Sequence, residues 1–175
     1  MNHLFWGLFF VALNFEVQLG TARFGLLPDF LGWYLMMKGM EDLAREDRRF
    51  DRGRHWAFGL MLLSAVLYIG DLLNPDAMAA VGLWALKLAG ICVGLFVIRN
   101  MISGIRQMES DRTKDLNGQK LHSMWMIHAV MAVIAHLFSW MPLVGDFAAL
   151  AGGITAICLL IVMGGAVKRY KEREL

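Results

Sequence analysis

The stretch Gly25-Leu26-Leu27-Pro28-Asp29-Phe30-Leu31-Gly32-Trp33-Tyr34 decides the fold, because it is typical of a tight turn that leads directly into an apolar helix. Proline at the first helical position gives up an amide hydrogen that would have no partner there, and its fixed φ suits the helix. An acidic residue directly after the proline lies in the favourable field of the helix N-terminus. The stretch therefore predicts a helix that begins at Pro28 and Asp29.

The same kind of turn occurs twice more, and the three prolines of the sequence all lie in these turns. In the second turn, helix initiation is predicted at Pro75 and Asp76. In the third, which begins at Pro142, it is predicted at Asp146. Each turn lies between the two apolar helices of one pair, and the sequence contains three such pairs. We therefore predict an all-α fold, a polytopic membrane bundle of six transmembrane helices in three hairpins, as a single transmembrane domain with hairpins at about residues 1–50, 51–118 and 119–175.

The composition supports a membrane protein. The sequence is 58% hydrophobic and 18% charged, whereas soluble domains have about 45–50% apolar and about 25% charged residues. Residues 77–98 contain one charge, Lys87, and residues 147–167 contain none. Both stretches exceed the roughly 18 residues that mark a transmembrane candidate.

The basic residues are unevenly distributed, which predicts the orientation. Fourteen of the seventeen Lys and Arg lie in residues 45–54, 99–120 and 168–173. A Lys and Arg bias in short loops sets membrane orientation, so these segments and both termini should be cytoplasmic (N-in/C-in). A nucleic-acid surface is the rival interpretation, but acidic residues alternate with these arginines and weaken it. The expected partners are the lipid bilayer and either another membrane protein or a second copy of the chain, with no nucleic acid.

The hydropathy pattern places the six helices along the chain. The first is the weakest span, because Asn14 and Glu16 lie in its outer half, and a re-entrant or interfacial segment is the alternative. Residues 109–119 are polar and contain Asn117-Gly118, so they are predicted to form a mobile loop. The predicted helices cover residues 4–19, 28–40, 56–69, 75–98 with an extension to about 108, 122–141 and 146–167.

The hairpins resemble one another, which predicts a degenerate internal repeat. Each odd-numbered helix opens with a histidine near a tryptophan, and each even-numbered helix opens with the proline turn and ends at a basic residue. The alternative is that Trp and His simply mark the membrane interface. The histidine and tryptophan pairs are His3 and Trp6, His55 and Trp56, and His122 and Trp125.

The first hairpin resembles a known group of proteins. Its pattern is similar to that of uncharacterised small multispan membrane proteins of Gram-positive bacteria. The residues that carry the resemblance are Asn14, the stretch Leu26-Leu27-Pro28-Asp29-Phe30-Leu31-Gly32-Trp33, and Lys38-Gly39-Met40. Those proteins carry an Asn in the first span and an LLPDF-G-aromatic turn before the second. The resemblance covers the first third of the chain. It implies a multi-pass protein of the bacterial plasma membrane and supplies no activity, substrate or catalytic residue.

Ionisable residues inside a bilayer are functional candidates, because they are costly there. Lys87 lies about 16 Å into the predicted fourth helix, near the bilayer midplane. Glu16 is its predicted partner, with Asn14 and His136 as supporting polar groups. These four residues form the candidate polar bundle site. A structural ion pair and a transport site both remain open interpretations.

The sequence predicts neither a catalytic residue nor a metal or cofactor. Bis-histidine haem needs deep histidines on two helices, and here His128 and His136 both lie on the fifth helix. Nucleophile motifs and glycine-rich phosphate loops do not occur. We therefore expect a non-enzymatic interaction or scaffold subunit. The alternative is a small carrier or binding protein for a cation or polar solute, with its site at the bundle midplane.

Overall fold

The computed structural model describes residues 1–12, 16–19, 22–25, 29–73, 81–112, 115–138 and 140–172. The prediction of an all-α fold is confirmed in its main feature, since the described residues form six helices and, besides them, one short antiparallel β-hairpin. The helices are α1 (Asn2–Ala12), α2 (Asp29–Leu43), α3 (Arg48–Leu73), α4 (Val81–Arg112), α5 (Gly118–Leu137) and α6 (Pro142–Lys171), and the strands are β1 (Glu16–Leu19) and β2 (Ala22–Gly25).

The hairpin replaces the second half of the predicted first helix. The pairing joins Glu16 to Gly25 and Leu19 to Ala22. The prediction of a helix over residues 4–19 is therefore wrong for residues 16–19. Polar and apolar residues alternate over residues 16–19, which is the period of a strand and not of a helix. α1 has 11 residues, so it is about 16 Å long and covers about half of a bilayer's hydrocarbon core.

The helices start and stop at different residues from those predicted. α3 begins at Arg48, more than two turns before the apolar stretch, and α4 continues to Arg112. Part of the predicted mobile loop is therefore helical. α6 begins at Pro142, so Asp146 lies in its second turn. α2 begins at Asp29, whereas Pro28, Pro75 and Asp76 lie outside the described residues.

The six helices form a closed ring. Each helix packs against its neighbours in sequence, and α1 packs against α6 to complete the circle. The α1–α2 contact is especially close, because glycines let the two backbones approach. A Cβ added at Gly7 would lie 2.6 Å from the backbone nitrogen of Met36, and one added at Gly39 would lie 2.7 Å from that of Leu4.

The apolar core lies at one end of the ring. We call this the inner end, because it holds the start of α1, the α2–α3 and α4–α5 connections and the end of α6. The largest fully buried side chains cluster there, among them Phe50, Met101, Ile105, Leu121 and Met163. The opposite end is called the outer end.

The outer half is packed differently. Among the described side chains, those of α3 beyond Leu60, of α4 before Gly94 and of α5 beyond Leu121 include none in the buried class. In the outer half of α6 the buried residues are small, such as Ala148 and Gly152. The described side chains are therefore tightly packed at the inner end and less buried in the outer half.

Two of the described helices, over Ala85–Asp111 and Leu143–Lys171, are long and apolar enough to cross a membrane by length and composition. Asn2–Ala12 is a shorter apolar helix. By this measure the described residues provide two membrane spans, so the six predicted from the sequence are not supported.

Candidate functional site

Ion pairs connect the first three helices at the inner end. His3 Nδ1 lies 2.9 Å from Asp42 Oδ2, which joins α1 to α2. Arg54 lies 3.0 Å from Asp51 within α3 and 3.8 Å from Glu41 of α2. These groups are partly exposed, so each pair contributes about 0–1 kcal/mol to stability.

The α3–α4 contact at the inner end combines a hydrogen bond with close packing. Arg49 Nη1 donates to the Ser103 carbonyl oxygen at 3.0 Å. One residue later, the buried ring of Phe50 lies on Gly104, where an added Cβ would be 2.6 Å from Cζ. The absence of a side chain at Gly104 therefore makes room for the largest buried side chain of this end.

Glu109 holds the N-terminus of α5. Its two carboxylate oxygens accept hydrogen bonds from the backbone amides of Leu116 and Gly118, each at 3.0 Å. Asn117 between them has a φ of 62°. A negative charge at a helix N-terminus is stabilised both by the unpaired amides and by the helix dipole. Sequence reasoning missed this interaction, because the carboxylate is nine residues from the amide it caps.

Asp115 joins this connection to the end of α6. Its Oδ1 accepts from the Asn117 amide at 2.8 Å, and Arg169 Nη1 donates to its Oδ2 at 2.8 Å and to its carbonyl oxygen at 3.0 Å. The backbone hydrogen bond from Asn117, and then the hydrogen bond from Arg169, lower the pKa of the Asp115 carboxyl below its ordinary value. The inner end is thus closed by packing and also by polar contacts between neighbouring helices.

Lys87, the central residue of the predicted site, lies in the outer half of α4. It precedes the buried Gly94 by seven residues and the buried Ile98 by eleven, so all three lie on one helix face. This face is directed towards the bundle axis. The Lys87 side chain is nevertheless exposed, and it makes neither a hydrogen bond nor an ion pair with another described residue.

His136, the second residue of that site, lies in the last turn of α5 and is half-buried. It follows Trp125 by eleven residues and Ala129 by seven, which places the three on one face of α5. Trp125 packs against the apolar core, so this face is also directed inwards.

The other two predicted site residues are not placed beside Lys87. Glu16 lies in β1 and not in a helix, and its side chain is outside what the structure describes. Asn14 also lies outside the described residues. The Lys87–Glu16 pair therefore stays a prediction.

Asp29 is the residue that the sequence analysis assigned to a helix start and not to the polar bundle site. Its side chain is half-buried. It precedes the buried Trp33 by four residues and the buried Met36 by seven, so it lies on the inward face of α2. This spacing was visible in the sequence and could have added Asp29 to the candidate site.

Two interhelical contacts show the level of these residues along the bundle. The Trp33 ring of α2 contacts α4 at Gly94, where an added Cβ would lie 3.0 Å from Cη2. From this contact Asp29 is about 6 Å, and Lys87 about 10 Å, towards the outer end. From the Glu109–Gly118 contact, Lys87 is about 33 Å and His136 about 27 Å towards the outer end. Asp29, Lys87 and His136 therefore lie within about 6 Å of one level.

The second deep histidine, His128, lies between α5 and α6 and away from this group. Its Nδ1 is 3.2 Å from the Gly152 carbonyl oxygen and 3.4 Å from Thr155 Oγ1. These contacts give the polar ring of His128 partners on α6, so the ring links α5 to α6. Across the part of the chain that the structure describes, His, Cys, Asp and Glu do not form a group of three or more that could hold a metal ion.

Comparison of the chain with protein-family models, with characterised proteins and with solved structures finds no match.

Proposed function

We propose that this chain is a multi-pass integral membrane protein of the bacterial plasma membrane, with the six-helix bundle embedded in the bilayer and the inner end in the cytoplasm. α3 has 26 residues and α5 has 20, so they are about 39 Å and about 30 Å long, enough for the hydrocarbon core. The shorter α1 and α2 pack against α6 and α3, which would shield them from lipid. The bacterial location rests on the resemblance of the first hairpin.

The outer surface of the bundle supports a lipid environment. Large apolar side chains are exposed along three helices, for example Val66 of α3 at 67%, Val130 of α5 at 51% and Ile161 of α6 at 69%. Contiguous apolar surface on this scale is unfavourable in water and is typical of protein that contacts lipid or another protein. The charged contacts, in contrast, lie at the inner end.

We further propose that the protein is a non-enzymatic binding protein or carrier for a small polar solute that enters from the outer end. The observation that carries this proposal is the packing asymmetry. The described outer half is less buried, which we take as an opening towards the outer end, and it contains Lys87 on an inward face. A charge inside the bundle, at bilayer depth, favours a ligand that compensates it. Because the ammonium group repels cations, a solute with a negative group fits better than a simple cation.

An interaction or scaffold subunit is the second candidate, favoured by the outward face of α6. Its exposed apolar residues recur at alternating spacings of four and three, which is the pattern of a helix–helix seam. In this role α6 would contact a helix of another membrane protein or of a second copy. The residues of this face are Leu143, Phe147, Leu150, Ile154, Ile157 and Ile161.

Cysteine accessibility in intact cells tests the proposed arrangement. After replacement of the two native cysteines, Gly90→Cys and Ala132→Cys place thiols on inward faces of the open half. A thiol reagent that does not cross membranes should label both from outside. Ile102→Cys in the packed inner end and the lipid-facing Ile154→Cys are the controls, and neither should react.

A fifth position tests the orientation. Asp51→Cys lies at the inner end and should react only with reagents that enter the cell. Labelling of this cysteine from outside would show that the orientation is wrong. Equal, slow labelling of Gly90→Cys, Ala132→Cys and Ile102→Cys would show that the outer half is closed, which would refute the solute-binding role.

A further inference from the structure

We infer that Arg52 of α3 and Arg99 of α4 bind the phosphate group of one anionic phospholipid of the cytoplasmic leaflet. The exposed rings of Trp56 and Phe96 contact the acyl chains of the same lipid. The inference rests on the proposed membrane location of the bundle and goes beyond the proposed solute-binding role. The site lies on the outer surface of the α3–α4 contact, near the inner end.

The two arginines are brought together by a close contact between α3 and α4. A Cβ added at Gly53 would lie 3.5 Å from the Cβ of Asn100, and Arg52 and Arg99 each directly precede one residue of this pair. Because the two helices run in opposite directions, the arginines differ in level by only about 3 Å. Helices in such contact have axes about 8–10 Å apart, so two long guanidinium side chains can reach one phosphate group.

Each arginine lies one helical turn from an aromatic ring. Arg52 precedes Trp56 by four residues and Arg99 follows Phe96 by three, so each arginine shares a helix face with its ring. The two rings touch across the α3–α4 contact, with centroids 6.1 Å apart. All four side chains are nevertheless exposed. They therefore form one continuous surface, basic at its inner edge and aromatic beyond it.

The arginines mark the level at which the apolar stretches end. The apolar stretch of α3 begins at Trp56, and that of α4 ends at Ile98, immediately before Arg99. Tryptophan is enriched at membrane interfaces, and arginine and lysine are enriched on the cytoplasmic side. A phospholipid with its phosphate between the two arginines therefore extends its acyl chains past the two rings, towards the bilayer centre.

The charge of this surface selects an anionic lipid. Among the described residues, the side chains of Arg52 and Arg99 make neither an ion pair nor a hydrogen bond. The carboxylate next to Arg52 in sequence, that of Asp51, lies 3.0 Å from Arg54 instead. Guanidinium groups bind phosphate through paired N–H donors, and these charge-assisted bonds are strong. A phosphodiester supplies the missing negative charge, whereas a zwitterionic lipid also brings an ammonium group that the arginines repel.

Native mass spectrometry of the purified full chain measures the affinity. Phosphatidylglycerol is the anionic probe, and phosphatidylcholine with the same acyl chains is the zwitterionic control. Phosphatidylglycerol should bind the wild type more tightly. A basic residue near an anionic lipid surface contributes about fivefold to binding, so Arg52→Gln and Arg99→Gln should each weaken the phosphatidylglycerol affinity about fivefold, and together about 25-fold. The double lysine variant keeps both charges and should bind more tightly than the double glutamine variant.

A matched control removes the same charge elsewhere at the inner end. Arg45 and Lys171 are exposed and lie outside the α3–α4 contact. Arg45→Gln combined with Lys171→Gln should change the phosphatidylglycerol affinity by less than about twofold, because charges beyond a Debye length are largely screened. An equal loss in this control would show that overall charge alone attracts the lipid, and it would overturn the site.

Fluorescence quenching locates the bound lipid. Bromine atoms on acyl chains quench tryptophan on contact, so the part of the quenching that is lost in Trp56→Phe reports contact with this ring. In phosphatidylcholine nanodiscs with a small fraction of brominated phosphatidylglycerol, this part should be present in the wild type. It should be absent when Arg52→Gln and Arg99→Gln are combined.

Three further results would overturn the inference. They are equal affinity for the two lipids, equal weakening in the double lysine and double glutamine variants, and full competition by soluble glycerol 3-phosphate, which would indicate a site for a free phosphate compound. In each case, quenching of Trp56 by brominated phosphatidylcholine as the bulk lipid would still support the proposed membrane location. If that bulk lipid does not quench Trp56 at all, this face is not in contact with lipid, and both the inference and the proposed arrangement in the bilayer are wrong.

Discussion

Removal of the Glu109 carboxylate should destabilise the inner end more than removal of any exposed carboxylate. In Glu109→Ala, the amides of Leu116 and Gly118 lose their acceptor, and the α5 N-terminus loses a compensating charge. Both hydrogen bonds are partly buried, so water replaces the carboxylate only incompletely.

The expected cost follows from these contacts. Hydrogen bonds to a charged group contribute about 1.5–3 kcal/mol each, and exposure of the site to water places the pair at the lower end. We expect Glu109→Ala to lower the free energy of unfolding by about 2–3 kcal/mol, which is a fall of about 4–12 °C in the unfolding midpoint for a chain of this size. Glu109→Gln should lose roughly half as much, because its amide oxygen can still accept one of the two bonds.

Thermal unfolding of the purified protein in nanodiscs measures both variants. Asp111→Ala is the matched control, because Asp111 is exposed and, among the described residues, accepts a hydrogen bond from Gln107 Nε2 alone, at 2.9 Å. It should change stability by no more than about 0.5 kcal/mol. The reasoning is refuted if Glu109→Ala unfolds at the temperature of the wild type, or if Asp111→Ala costs as much.

Four further outcomes follow, each measured by the same unfolding assay. Gly118→Ala should be strongly destabilising, because its Cβ would collide with Glu109 Oε2. Gly7→Ala should also be destabilising, because the obstacle is backbone. Gly59→Ala should be stabilising by up to about 1 kcal/mol, because the space around the added Cβ is open. An equal loss of stability in all three glycine variants would contradict the packing described above. The folded-state pKa of the Asp115 carboxyl is lowered. Its contribution to folding stability is therefore present above the unfolded-state pKa of about 3.9 and is lost as the pH falls through the folded-state pKa. The stability difference between wild type and Asp115→Asn should therefore shrink as the pH is lowered from about 6 to about 3, and a constant difference would contradict this account.

The apolar windows of the sequence predicted the number of helices because burial of apolar faces requires them. They did not predict the helix ends. α3 begins eight residues before its apolar stretch, and α4 continues to Arg112, since charged residues such as Arg48 and Glu109 are good helix formers in water. Hydropathy measures only the part of a helix that prefers lipid.

The site was partly predictable for a similar reason. Lys87 was evident as a lone charge in an apolar stretch, and the register of α4 directs it inwards. Its neighbours depend on which helices lie next to one another, and the ring order becomes known only from the fold. Asp29 looked like a helix cap because the turn around Pro28 explained it fully, whereas its alignment with Trp33 and Met36 also gives it an inward face.

The packing asymmetry distinguishes a carrier from a binding protein that never opens inwards. The inner-end ion pairs are exposed and individually weak, so the main barrier on that side is the apolar core around Met101 and Ile102, both fully buried. A carrier must open this core when the solute crosses. In that case Ile102→Cys should become reactive to a thiol reagent on the cytoplasmic side. In a binding protein the same cysteine should stay protected, while Gly90→Cys is shielded by the bound solute. Rapid labelling of Ile102→Cys from the outer side would contradict both, because it would mean that the inner core is not closed.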